Sequence, residues 1–237
     1  MSWDSKQDYG GLVTANKIAI KASTMNRTGQ YLEKLGKNAA FAATKPYGTS
    51  DAPSCEYTVL ASYTLTGKKL GAIVTVGGKK YALQSIHYEN GAGVEPKLTT
   101  TSREVESGAT DANSNHFDIP NLVISPEEVA EILMSAFTLP TANNANKDCE
   151  LVKCAIDISC TVNPHTVNGV IVASDVHSGH VKVTATIGQY GATEPTVTAA
   201  SGWDISSPLT SNDPDSDLPE WTVTFSKPLA KTVAANP

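Results

Sequence analysis

Recognisable catalytic spacing is the first thing this chain lacks. Across its 237 residues, Ser, His and Asp never fall into a nucleophile-elbow context. The glycine pairs Gly10-Gly11 and Gly77-Gly78 do not extend into G-x-G-x-x-G or a P-loop, so nucleotide phosphates have no ready cradle. Charge is also sparse: 18% of residues are charged, the net charge is −6 and the pI is near 5.3. Wrapping nucleic acid requires clustered Lys and Arg that release counterions, and an acidic chain is poorly suited to it. The one basic concentration, Lys17, Lys21, Arg27, Lys34, Lys37 and Lys45, reads as a solvated arm or an assembly contact. No stretch approaches the roughly 18 apolar residues of a membrane-spanning helix. Met1 to Asp8 has no apolar signal-peptide core, so folding in a cytoplasm is expected.

Cysteine is scarce and its spacing is uninformative. Cys149, Cys154 and Cys160 are separated by four and five intervening residues, unlike the C-x₂-C pairs of zinc sites, and Cys55 stands apart. Buried thiols are the expected state, with a disulfide or a metal role as the alternative. No catalytic, cofactor-binding or metal-ligating residue is assigned, and no cofactor is expected.

What the chain does contain is short Thr- and Val-rich alternation. Residues 1–54 read as an extended N-terminal arm, interrupted by Gly10-Gly11, Gly29, Gly36, Pro46, Gly48 and Pro53. Residues 55–140 read as a first β unit. Within it Tyr57 to Leu65 alternates with period two, Leu70 to Val76 follows a turn, Gly77-Gly78 makes a hairpin into Tyr81 to Tyr88, and Leu98 to Val105 is a fourth strand. The same unit carries a helix predicted over 125–138. Ser125 is its N-cap, Pro126 its first residue and Glu128 the capping-box partner, while Val129, Ile132, Leu133, Ala136 and Phe137 form one apolar stripe.

Residues 141–148 read as a polar linker and 149–227 as a second β unit. Its expected strands are Leu151 to Val162, Val167 to Ala173, Val181 to Ile187, Thr196 to Ala200 and Trp221 to Phe225, with a turn at Asn163-Pro164-His165. Ser206 to Glu220 reads as a long acidic loop, and 228–237 as a tail with little to pack. Gly93 to Ser102 lines up with Ala192 to Ser201 through a shared Glu-Pro, one Thr and the final Ser. Cys55-Glu56 and Cys149-Glu150 open the two series, so 55–110 and 149–207 are expected to be related units. The fold expectation is therefore mainly β: two related antiparallel β-sandwich or barrel-like units, one amphipathic helix and an extended arm.

Three constellations invite a chemical reading. Asp175, His177 and His180 flank a Gly and are expected in a solvated hairpin turn, with a metal site as the alternative. Asp213, Asp215 and Asp217 alternate as in calcium loops, but Leu218 and Thr224 occupy the places where an EF-hand needs Gly and Glu. An exposed acidic loop is the default there, and a structural calcium aided by Glu220 the alternative. Trp3, Trp203 and Trp221 read as core or interface, or as a sugar-stacking face.

The long arm, Thr- and Val-rich meander, lone helix and acidic character together resemble the tail-tube and related tail proteins of tailed bacteriophages. The resemblance is architectural, spans residues 1–227, and transfers no residue role. It implies a self-assembling virion protein, put together in the host cytoplasm. Its partners would be other copies of itself and other virion proteins, with DNA passing non-specifically and no membrane involved. Some tail-tube proteins are duplicated, so that fewer subunits build a pseudo-sixfold ring. Capsid decoration or head-completion proteins share these features, and an extracellular β-sandwich adhesin or carbohydrate-binding module is the alternative class.

Overall fold

The computed structural model describes residues 6–35, 41–65, 67–91, 94–120, 122–126, 137–138, 149–189, 195–211 and 219–233. In chain order the strands are β1 (Ile18–Leu35), β2 (Phe41–Val59), β3 (Tyr63–Thr64), β4 (Lys69–Leu70), β5 (Ile73–Val76), β6 (Lys79–Gly91), β7 (Val94–Glu104) and β8 (His116–Asp118). They continue as β9 (Val123–Ile124), β10 (Phe137–Thr138), β11 (Cys149–Val167), β12 (Val170–Gln189), β13 (Thr198–Ala199), β14 (Asp204–Ser211), β15 (Glu220–Pro228) and β16 (Lys231–Thr232). The protein is mainly β, and among the described residues there is no helix.

One antiparallel sheet organises the molecule, in the order β1-β2-β7-β6-β11-β12-β15-β14, with β5 added to β6. Small pairings, β16-β8-β4, β3-β9 and β10-β13, sit beside it. Period-two alternation sets which side chains go inward. Along β11, Cys154, Ile156, Ile158, Cys160 and Val162 are buried. Val181, Val183, Ala185 and Ile187 of β12 and Val223 and Phe225 of β15 join them in one core. That core continues through Leu83, Ile86 and Tyr88 of β6, Leu98 of β7 and Tyr57 of β2. Residues 6–14 lie on the sheet: Asp8 accepts from the Tyr57 hydroxyl at 2.7 Å, the Tyr9 carbonyl accepts from Ser102, and Leu12 is buried.

Several expectations are corrected. Residues 18–35 and 41–54, read as part of an arm, belong to the β1–β2 hairpin of the main sheet, and β2 runs through position 54 without a break. Of the predicted helix 125–138, Ser125 and Pro126 are not helical and Phe137-Thr138 form a strand paired to β13. Residues 127–136 lie outside the described residues. The turn at Asn163-Pro164-His165 is instead strand, and the chain reverses at Asn168-Gly169, whose φ values of 50° and 81° suit a two-residue hairpin. His177 to His180 is a bulge within β12, not a turn. Alternation from Tyr57 to Leu65 breaks after Val59, and Gly71, at φ 84°, divides β4 from β5. Ser206 to Ser211 is edge strand, not loop, and the tail contributes buried Leu229 and the strand β16. The hairpin at Gly77-Gly78 is present as expected.

Gly179 shows why the β12 bulge needs its sequence. A Cβ there would collide with the ring root of Phe117, so the missing side chain lets β8 pack flat on the bulge. Gly179→Ala is expected to cost about 1–3 kcal/mol by overpacking, a fall in Tm of about 2–12 °C for a chain of this size. Gly108→Ala, with open space around it, should leave the Tm unchanged in the same differential scanning calorimetry series.

Candidate assembly interface

The two halves of the sheet meet at one seam. β6 and β11 pair from Lys153 opposite Gly91 to Ser159 opposite Ser85. Polar side chains on one face reinforce this ladder. His87 Nδ1 lies 2.6 Å from Asp157 Oδ1, and Lys153 pairs with Glu89. The hydrogen bond to Asp157 raises the His87 pKa above its ordinary value, and the same bond lowers that of Asp157. Glu89 is held low chiefly by Lys153. On the inner side Ile156 faces Tyr88, whose hydroxyl donates to the Ser125 carbonyl.

The strands on either side of this seam follow the same plan. β1-β2-β7-β6 and β11-β12-β15-β14 each place a long hairpin first, then the last strand of the half, then the strand preceding it. The hairpins agree in where their irregularities fall, although at the middle one β11 also skips Cys160 and β12 skips one residue more than β2. Each opens with three regular pairs, Ile18–Val59 to Ile20–Tyr57 and Cys149–Gln189 to Leu151–Ile187, and then skips one residue of the first strand, Lys21 or Val152. Each is next disturbed at corresponding places, Gly48 in β2 and Ser178-Gly179 in β12, and again at Ala42 and Val172. β6 and β14 match at one bulge, where each skips one residue, Gln84 or Ser206, before Ser85 pairs with Thr101 and Ser207 with Thr224; β14 then has a second bulge, between Ser207 and Thr210, that β6 lacks.

This correspondence is not the one the sequence suggested. Tyr57 pairs with Leu98 as Ile187 pairs with Trp221, so β7 answers to β15 and not to 192–201. Cys55 lies on a second hairpin strand and Cys149 on a first. No residue of β1 is identical to its counterpart in β11, so no search for shared letters could find the match there.

β1 and β14 are the outer edges, each paired on one side only among the described residues. Both carry exposed apolar side chains whose counterparts in the other half are buried. Met25 is 42% exposed where Ile156 is 1%, and Ile205 is 47% exposed where Leu83 is 2%. Both hairpins also outrun their neighbours: β2 meets β7 only over Ser54–Tyr57, and β11 meets β6 only up to Ser159. Two-stranded ribbons of this length gain little stability on their own.

The sequence-derived candidates fall as follows. His177 accepts from Asn163 at 3.0 Å, and His180 accepts from the Ser159 hydroxyl at 3.2 Å, so the two rings serve different partners. Among the described residues no group of three His, Cys, Asp or Glu side chains is placed to hold a metal. Asp213, Asp215 and Asp217 lie outside the described residues, as does Trp3. Trp203 is buried and offers no stacking face. Cys55, Cys154 and Cys160 are buried free thiols, and burial pushes Cys154 to about 11 and Cys160 to about 12. In the basic group, Lys21 pairs with Glu56 at 3.0 Å and Arg27 with Asp51 at 2.7 Å. Lys37 lies outside the described residues.

Sequence reasoning missed Asp51. It is buried at the centre of a charge network, bonded to Arg27 and to Lys79 at 2.7 Å, while Lys79 also reaches Glu104 at 2.9 Å. Glu104 closes the loop by accepting from the Asp51 backbone N–H at 2.9 Å. The Arg27 bond leads in holding the Asp51 carboxyl below its usual range, with Lys79 assisting. A cavity of 280 Å³ opens here, bounded by these side chains and by Gly169 to Ile171 at the second hairpin's tip. Its charges are already engaged with one another.

No protein-family model matches the chain, and no curated protein is significantly similar to it in sequence.

The seam has a defined pH response. The His87 pKa is raised on folding, so its contribution is fully present below about pH 6.5 and is lost as pH rises through the folded value. Asp157 is lowered, so its contribution is present above about pH 4 and is lost as pH falls through its folded value. Both act together between about pH 4 and 6.5. Because the pair is half exposed, His87→Gln is expected to lower the Tm by about 1–3 °C at pH 5.5 and by less at pH 8. Equal losses at both pH values, read by circular dichroism melts, would remove the ionic account of the pair.

Proposed function

We propose that this protein is a self-assembling structural component of a virion, a ring-forming subunit of a phage tail tube that acts as a DNA conduit. The observation that carries the reading is the matched order and matched bulges of β1-β2-β7-β6 and β11-β12-β15-β14, joined edge to edge at β6–β11. In this reading the halves are two copies of one unit, each a curved sheet of the sandwich or barrel type. The chain already contains one unit-to-unit joint of a ring. A ring of such chains needs half as many subunits as it has units, the arrangement expected of a duplicated tail-tube protein. Closing the ring satisfies the two strand edges that a single chain leaves open.

Acidic character supports the conduit role. A net charge of −6 repels a polyanion, so DNA slides through without adhering. The work of the protein is then geometric, with ribbons and loops locking one ring on the next.

Purified protein, concentrated at several salt strengths and viewed by negative-stain microscopy, is expected to show rings or tubes. Light scattering should report masses of several 24.9 kDa chains. Dispersed monomers under every condition would end this reading.

A further inference from the structure

The internal seam specifies how one copy meets the next. We infer that the β14 edge of one chain pairs antiparallel with the β1 edge of a second copy, in the register of β6 on β11. The inference rests on the ring-forming reading and adds the edge, the partner and the residue-level register.

The register follows from the matched pairs. Ile18 corresponds to Cys149 and both hairpins skip the fourth residue, which carries Met25 onto Ile156 and Asn26 onto Asp157. Leu98 corresponds to Trp221 through their shared hairpin partners. Tyr88 therefore answers to Ser211, since these two pair with Leu98 and Trp221, and His87 answers to Thr210, since they pair with Thr99 and Thr222. At the seam His87 is opposite Asp157 and Tyr88 opposite Ile156. Between copies, Thr210 therefore lies opposite Asn26 of the next chain, and Ser211 opposite its Met25.

Independent features of these edges fit a second copy as the occupant. Met25 is exposed at the place where its counterpart Ile156 is buried beside β6 of the neighbouring half, so a second half is the surface that covers it. Pro208 removes one donor from the β14 edge, at a second bulge between Ser207 and Thr210 where regular pairing with β15 is already interrupted. Thr210 and Ser211 follow that bulge and pair regularly with β15, leaving their other side for the new strand.

The test is a cysteine pair in the full chain, Asn26→Cys with Thr210→Cys, both positions being exposed in the single chain. Directly opposed residues bring their Cβ atoms to about 4.5–5.5 Å, close enough for oxidation to bridge them after small shifts. After mild oxidation of the assembled protein, a non-reducing gel is expected to show a ladder of covalent oligomers. The unsubstituted protein and each single variant should remain monomeric on that gel, and the displaced pair Met25→Cys with Thr210→Cys should give at least tenfold less ladder. Melting curves within a few degrees of the parent establish that the variants fold. Assembly by light scattering without a ladder, or a stronger ladder from the displaced pair, overturns this junction while leaving ring formation standing. Monomers at every concentration remove both.

Discussion

The backbone ladder between β6 and β11 is the constraint on which the rest depends. A sheet edge presents rows of N–H and C=O groups that need partners, and burying them unpaired costs free energy. At this seam each half supplies the other's partners over seven residue pairs, and so becomes the cover for the other's apolar side chains. Ile156 and Ile158 are buried because β6 lies alongside them and Tyr88 and Ile86 stand opposite. The one continuous core spans the seam, so neither half is closed without it. The same physics operates at β1 and β14, where the ladder stops and apolar side chains face outward.

The repeated bulges show what the two halves hold in common. A bulge inserts an unpaired residue, bends its strand and increases local twist, so its position fixes the curvature of a hairpin. The hairpins bend at corresponding places although β1 and β11 share no identical residue at matched positions. Different local chemistry supports the same bend: the second disturbance uses Gly48 in β2, but Ser178 at φ 59° followed by Gly179 against Phe117 in β12. Shape is what corresponds, and side-chain identity has been free to change around it.

That division explains what was legible in the residues. Mainly β character, the Gly77-Gly78 hairpin, and the strands around Tyr81–Tyr88 and Trp221–Phe225 were readable, because one face of each is apolar and a turn residue or a change of pattern marks the ends. β1 was missed because exposed Ala22, Thr24, Met25, Asn26 and Arg27 give no alternation when neither face is fully covered in the single chain. The Asn168-Gly169 turn was overlooked because Asn163-Pro164 is the stronger local turn signal. Proline is tolerated there because β11 is an edge of a two-stranded ribbon beyond Ser159. The buried Asp51 network was invisible because Arg27, Asp51, Lys79 and Glu104 come from four strands, and only the sheet order brings them together. The letters shared at Glu95-Pro96 and Glu194-Pro195 point to a different correspondence from the one the strand pairing draws between β7 and β15.

Inside the chain and between chains, the seam meets different demands. β6 and β11 are tethered, so their effective concentration is high, and the pairs His87–Asp157 and Lys153–Glu89 add selectivity to an encounter already favoured. In the proposed assembly the outer edges find a separate molecule and yet avoid pairing with any strand nearby. Neutral Asn26 and Thr210 stand where the seam carries Asp157 and His87, so the proposed contact between copies has no such titrating pair. In the proposed assembly selectivity falls to the β14 edge itself, where a bulge and Pro208 disrupt pairing with a straight intruding strand. An edge guarded in this way rejects generic partners, and the proposed assembly reserves it for a copy of the chain that meets it as β11 meets β6.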